Sequence, residues 1–215
     1  MSEGTQERTL TSLRQGTTDA GAVQTYYDDW ADSYDTTLRG WDYRAPEDAA
    51  DLLASHLAAG VRVLDVGCGT GLLGQALHRR AAVTLDGVDI SAASLRRAQG
   101  RGLYARLLCH DLQKLPLPVA DDAHDVAASV GVLTYIPDAE ALLREMCRAV
   151  RRGGTIAFTQ RTDLWEERGF APMIARLEGA GLWRCAHRSA PMPYLPGNAE
   201  FGDEIGVIHT LCRVN

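Results

Sequence analysis

The stretch VRVLDVGCGTGLLG, Val61 to Gly74, reads as a strand, a glycine-rich turn and the opening of a helix. Val61, Val63, Leu64 and Val66 form an apolar, β-branched run of strand length. Gly67, Gly69, Gly71 and Gly74 interrupt it, and Leu72, Leu73, Ala76 and Leu77 resume at helical spacing. This is the first half of a nucleotide-binding βαβ unit. Its turn needs glycine because a side chain would hold the backbone away from a ligand, and because the turn uses unusual dihedrals. The spacing alone leaves two ligands open. Gly69-x-Gly71-x-x-Gly74, with Asp89 roughly twenty residues on, satisfies a dinucleotide fingerprint. Against that, the strand runs straight into Gly67, which makes the phase Gly67-x-Gly69-x-Gly71. Asp65 also places a carboxylate at the strand end, where it would repel phosphates but suit a cationic ligand or the loop amides.

Asp65-x-Gly67-x-Gly69-x-Gly71 resembles the first motif of class I S-adenosylmethionine-dependent methyltransferases. The resemblance implies an α/β fold: a doubly wound, seven-stranded, mostly parallel sheet with an antiparallel last strand, preceded by an N-terminal helical lid. It also implies S-adenosylmethionine as cofactor, held at the loop by Asp65, Gly67, Cys68, Gly69 and Gly71.

Upstream, Met1 to about Asp19 is polar and aperiodic, and is expected to be a disordered tail. Between Tyr26 and Tyr43 the chain turns aromatic, with Val23, Tyr27, Trp30, Ala31 and Tyr34 on one helical face. Such a face either packs on the core or forms a lid over a ligand. The segment YYDDWADSYDTTLRGWDYRAP (26–46) resembles the W-A-x-x-Y-D … Y-R-A-P pattern of the methyltransferase-like protein 27 family. That resemblance implies that Trp30, Tyr34, Tyr43 and Arg44 lie over the methionine end of the cofactor. RGLY (101–104) and TQRT (159–162) resemble the same family. A second amphipathic helix, Pro46 to Leu57, ends at Gly60.

Downstream, a helix to about Arg80 leads to a strand, Val83 to Ile90, ending in Asp89 and Ile90. A carboxylate there can accept both ribose hydroxyls of a nucleotide. It could instead cap the helix of Ser91 to Gln99, but Ser91 suits that role better. A third strand, Tyr104 to His110, ends in His110-Asp111-Leu112. The resemblance sets Asp111 beside the adenine amino group and Leu112 against the ring. The apolar run Val126 to Tyr135 reads as a fourth buried strand, and the family pattern brings Ser129, Val130 and Gly131 near the sulfonium. Tyr135 either faces the acceptor or packs in the core. Then come a helix, Asp138 to Arg152, stopped at Gly153-Gly154, and a strand, Thr155 to Gln160. Arg161, Thr162, Asp163 and Trp165 follow on the rim where substrates bind. A helix, Phe170 to Ala180, and strands Leu182 to His187 and Gly206 to Val214 complete the chain, with a proline-rich excursion between the two strands.

With 215 residues, one domain is expected over 20–215: a lid at 20–58, a cofactor core at 59–161, and the rest of the sheet with a substrate loop at 162–215. A net charge of −6 offers no general attraction to nucleic acid or anionic membrane, and neither partner is expected. No run is of transmembrane length and no signal-peptide pattern opens the chain, so a cytoplasmic monomer or homodimer is expected. The five cysteines are never at C-x-x-C spacing and read as buried thiols. Neither an Asn/Asp-Pro-Pro-Tyr motif nor a magnesium-binding acid group is present. Exocyclic-nitrogen and catechol acceptors are therefore disfavoured, and no metal is expected. Methyl transfer needs alignment and a dry pocket more than a strong base. His110, Tyr135 and His209 are the candidate proton acceptors, and a small-molecule acceptor is expected. The alternatives are an NAD-dependent oxidoreductase and a cofactor-binding protein that works through a partner. The former lacks a Tyr-x-x-x-Lys pair, since the only lysine, Lys114, follows His110 at that spacing.

Overall fold

A computed structural model describes residues 12–202 and 204–215 of the chain. Its strands are β1 (Arg62–Val66), β2 (Thr84–Asp89), β3 (Tyr104–Cys109), β4 (His124–Ser129), β5 (Val150–Arg161), β6 (Trp183–Arg188), β7 (Met192–Pro193) and β8 (Gly206–Val214). They form one sheet in the order β3-β2-β1-β4-β5-β8-β6, with the two-residue β7 paired to β8. The first five strands run parallel; β8 runs antiparallel to both β5 and β6. This is the doubly wound sheet expected from the sequence, with β7 as a small addition.

The helices are α1 (Ala20–Trp30), α2 (Tyr34–Gly40), α3 (Ala45–Leu53), α4 (Leu72–His78), α5 (Ala92–Gly100), α6 (Ala139–Ala149), α7 (Thr162–Glu167) and α8 (Phe170–Gly179). On one face of β1, Val63 packs with Ala50 and Leu53 of α3 and Leu73 and Leu77 of α4. On the other, Leu64 and Val66 pack with Leu142, Leu143 and Met146 of α6 and Leu177 of α8. A strand covered on both faces needs a continuous apolar run, which β1 supplies. The chain winds outward from β1 through β2 to β3, then returns to β4 on the other side of β1. The crevice between β1 and β4 is therefore the topological switch point, where open α/β sheets bind ligands.

Three expectations need correction. The fourth strand does not reach Tyr135: it ends at Ser129. Gly131 takes a left-handed φ of 75°, and Leu133–Tyr135 curl into a 3-10 turn over the ends of the strands. The helix from Asp138 stops at Ala149, and Val150 already pairs with His124 as strand. Arg151 and Arg152 thus belong to β5, which bulges before Thr155; Gly153, at φ 71°, supplies the backbone freedom. Arg151 meets Asp125 at 2.5 Å rather than serving a helix terminus. Of the expected tail, residues 1–11 lie outside the described residues. From Ser12 on, the chain is ordered against the body: Leu13 is buried, and the buried Arg161 donates to its carbonyl at 2.8 Å and to that of Arg14 at 3.2 Å.

Candidate functional site

β1 delivers Asp65 and the glycine loop to the switch point. Gly67 and Gly71 adopt φ of 77° and 89°, and a Cβ on Gly67 would overlap the Val132 side chain. Glycine at 67 thus lets the turn after β4 close directly onto the loop. A Cβ on Gly74 would overlap the Tyr104 hydroxyl, so that glycine is set by helix–sheet packing rather than by a ligand.

Two carboxylates, the buried Asp65 and the half-buried Asp89, flank the loop. Asp65 is 1% exposed and accepts a hydrogen bond from the Tyr104 hydroxyl at 2.7 Å. Burial pushes its pKa up to about 7, against the pull of Tyr104 and with a further push from the Asp89 charge. Asp89, at the end of β2, accepts from the Gly69 amide and the Ser91 amide, each at 2.8 Å. Burial raises its pKa as well, opposed by those amides. Asp89 therefore fixes the loop against β2. Ser91 is the cap of α5, accepting from the Ser94 amide at 3.0 Å.

A cleft opens from the loop, walled by Asp89 and Ile90 on one side and by Asp111, Leu112 and Gln113 on another. Tyr27, Tyr34, Val130 to Val132 and Tyr135 complete its wall. A second arm shares Tyr34, Gly67, Gly69 and Val130 and reaches Asp65, Cys68 and Tyr43. Among the described residues, no Arg or Lys lines either arm. An acid at each of two strand ends and no cation on the walls fit a ligand with hydroxyls and a positive charge, and oppose a pyrophosphate.

α1 and α2 cover this cleft. Asp28 accepts from the Ser91 hydroxyl at 2.7 Å and the Ala93 amide at 3.0 Å. Asp32 pairs with Arg97, and Asp35 pairs with Arg101 while accepting from the Thr70 hydroxyl at 2.5 Å. Arg101 also donates to the Thr70 carbonyl at 2.6 Å, tying lid, α5 and glycine loop together. Tyr27 of the lid and Tyr135 meet edge-on, with ring centroids 5.7 Å apart. Burial raises the pKa of Tyr27, Tyr34, Tyr43 and Tyr135, so these phenols stay neutral.

Most residues singled out from the sequence converge here: Tyr34, Tyr43, Asp65, Gly67, Cys68, Gly69, Asp89, Ile90, Asp111, Leu112, Val130 and Tyr135 all line the two arms. Gly71 caps α4 in a left-handed conformation just behind them. Ser129 is wholly buried one residue before Val130, and its hydroxyl has no partner among the described residues. Several others lie elsewhere. Trp30 stacks edge-on against Tyr34 at 4.6 Å without reaching the cleft. Arg44 is exposed and meets Asp48 at 3.5 Å. His110 contacts the Lys114 carbonyl at 2.6 Å, outside the cleft lining. His209 is buried, lines neither arm, and its pKa is lowered by burial, which keeps it neutral. On the rim, Trp165 is buried in the core and Arg161 is occupied by Leu13, Arg14 and Asp163.

The sequence reading missed Thr70 and Gln113. Thr70 could have been found, since it lies inside the glycine loop. Gln113 donates to the Thr18 and Tyr135 carbonyls at 2.8 and 3.2 Å. Nothing local marks it, because both partners are distant in sequence. No group of three or more His, Cys, Asp or Glu among the described residues is arranged to hold a metal ion.

A methyltransferase domain family matches residues 63–154. Human methyltransferase-like protein 27 is 34% identical over 172 residues, 74% of this chain and 66% of the human protein. A ubiquinone biosynthesis O-methyltransferase of Pseudomonas savastanoi is 33% identical over 109 residues, 47% of this chain and 44% of that enzyme. The chain thus spans just under two thirds of the first relative and less than half of the second. In fold, it is similar to a methyltransferase solved in complex with the Haloferax volcanii Trm112 methyltransferase activator. The TM-score is 0.68 at 19% identity, covering 89% of this chain and 97% of that one.

Proposed function

Because the chain belongs to the class I S-adenosylmethionine-dependent methyltransferases and resembles methyltransferase-like protein 27, we propose that it binds S-adenosylmethionine in this cleft and methylates a small molecule. The observation that carries the reading is the pair of acids at neighbouring strand ends, the buried Asp65 and the half-buried Asp89, facing one cleft across a glycine loop. S-adenosylmethionine supplies a methyl group already activated on a sulfonium.

The chain's own residues then have separate tasks. Asp89 has lone pairs beyond those facing Gly69 and Ser91, and these accept the ribose hydroxyls. Asp111 faces the adenine amino group, with Leu112 and Ile90 against the ring. Asp65, at the inner end of the second arm, pairs with the ammonium of the methionine portion. Tyr34 and Tyr43 offer π faces to the sulfonium, and Tyr135 borders the acceptor. The lid excludes water, so the displacement relies on alignment rather than on a strong base. The neutral phenols, and walls without Arg or Lys, favour a small, partly apolar acceptor.

Calorimetric titration with S-adenosylmethionine, S-adenosylhomocysteine and NAD in parallel tests the cofactor. Binding of both adenosyl ligands without NAD is the expected outcome, and binding of NAD alone would overturn the reading. Release of S-adenosylhomocysteine across a panel of small-molecule and protein acceptors then tests the acceptor class.

A further inference from the structure

Two cysteines that are 27 positions apart in sequence face one another in the sheet. Cys185 of β6 and Cys212 of β8 are direct cross-strand partners in antiparallel register. Opposed residues in an antiparallel pair have Cα atoms about 4.5–5.5 Å apart, inside the span that a disulfide bridges. Both side chains lie on the face covered by α6 and α8, and the Cys185 thiol donates to the His187 carbonyl at 3.8 Å. Cys212 is fully buried, whereas Cys185 is half-buried at the edge of the sheet and open to a small oxidant. We propose that Cys185 and Cys212 form a reversible dithiol–disulfide site, oxidised by hydrogen peroxide.

The two thiols are not equivalent. Cys185 is half-buried at the edge of the sheet and within reach of peroxide, whereas Cys212 is fully buried. Cys185 is thus the attacking sulfur and Cys212 the resolving one. In the first step, the Cys185 thiolate attacks one peroxide oxygen. The O–O bond breaks, hydroxide leaves and takes up a proton to become water, and Cys185 becomes a sulfenic acid. In the second, the Cys212 sulfur displaces the sulfenic hydroxyl, which leaves as water with the Cys212 proton. Two thiols lose two electrons, and one peroxide becomes two waters. Cys147, packed in the same apolar cluster, has a thiol pushed up to about 12, chiefly by burial, and is a poor competitor.

The bond would close the base of the excursion between β6 and β8. That excursion carries Tyr194, Leu195 and Phe201 into the apolar cluster beneath the lid. The pair lies at the Ile156 end of β5, whereas the strand reaches the rim at Arg161, so the inference stands apart from the cofactor reading.

The test is intact-mass and peptide mapping of the whole chain after brief peroxide treatment. The expected monomer loses the mass of two hydrogens, yields a linked peptide pair containing Cys185 and Cys212, and regains its mass with dithiothreitol. Cys185→Ser should abolish the loss, and Cys147→Ser should keep it. Oxygen addition alone, or a linked pair that omits either residue, would overturn the proposal. Mapping of the wild-type chain keeps the test decisive should Cys185→Ser fail to fold.

Discussion

Titration of cofactor binding against pH, with Asp65→Asn as the perturbation, probes the site most sharply. Asp65 is buried, has one hydrogen-bond donor in Tyr104, and has a pKa raised from the ordinary 3.8 to about 7. That rise corresponds to about 4 kcal/mol favouring the protonated form in the ligand-free protein. The sign follows from proton counting. Between about pH 4 and 7 the folded chain holds a proton here that the unfolded chain has lost, so stability from this group falls as pH rises through that window. An ammonium placed beside Asp65 reverses the preference, and binding must then expel the proton. Affinity for S-adenosylmethionine should rise towards tenfold per pH unit below about 7 and level off above it. Calorimetry at pH 6, in two buffers of different ionisation enthalpy, should report release of nearly one proton per ligand. Asp65→Asn should abolish that release and weaken binding above pH 7 by about 1.5–3 kcal/mol, the worth of a hydrogen bond to a charged group. The same variant should flatten the fall of the melting temperature between about pH 4 and 7. Affinity independent of pH from 5.5 to 7, or proton release that persists in the variant, would refute the pairing of Asp65 with a cation.

Asp89→Ala should weaken S-adenosylmethionine binding by about 1.5–3 kcal/mol in the same calorimeter; unchanged affinity would rule out the ribose role. Gly67→Ala combines a left-handed φ of 77° with overlap on Val132, and should lower the melting temperature and abolish binding. Asp28→Ala removes the acceptor of the Ser91 hydroxyl and the Ala93 amide, and should speed amide exchange across α1 while leaving α6 unchanged. Asp86 lies buried between His124 at 2.9 Å and Arg62 and Arg106 at 3.1 Å. Burial raises its pKa, but His124 and Arg106 outweigh that and leave it lowered. Its stabilisation is therefore present above the ordinary carboxylate range and lost as pH falls below it. Asp86→Asn should cost on the order of 3 kcal/mol in denaturant unfolding near pH 7 and much less near pH 3.

The sheet was legible because its signals are local. The run Val61–Val66 is apolar on both faces, the glycines of the loop sit at fixed offsets, and Ser91 and Asp138 cap their helices as their side chains suggest. The two boundary errors share a cause. Val130 and Val132 continue an apolar run after the strand has ended, because that turn is buried against Gly67 and needs apolar side chains as much as a strand does. Val150 follows a helix without a break, and its pairing with His124 is a long-range choice that no local pattern contains. The site divides in the same way. Asp65 and Asp89 were singled out by their positions at strand ends and Asp111 by resemblance, and all three line the cleft. Trp30 was assigned to the ligand on resemblance and stacks behind Tyr34 instead.

The lid shows why helical spacing could not make that distinction. Its aromatics and its acids alternate in the same stretch, and the acids define the geometry. Asp28 on α1, Asp32 in the turn after it and Asp35 on α2 all face α5 and the glycine loop. That requirement rotates α1 and α2 so that Tyr27 and Tyr34 face the cleft and Trp30 is left to pack behind them. Asp35 accepts from the Thr70 hydroxyl inside the glycine loop, so lifting the lid breaks a contact to the loop, while Arg101 still holds the Thr70 carbonyl and Asp89 the Gly69 amide. Closure of the lid therefore favours the ordered loop, and a ligand that needs that loop favours the closed lid.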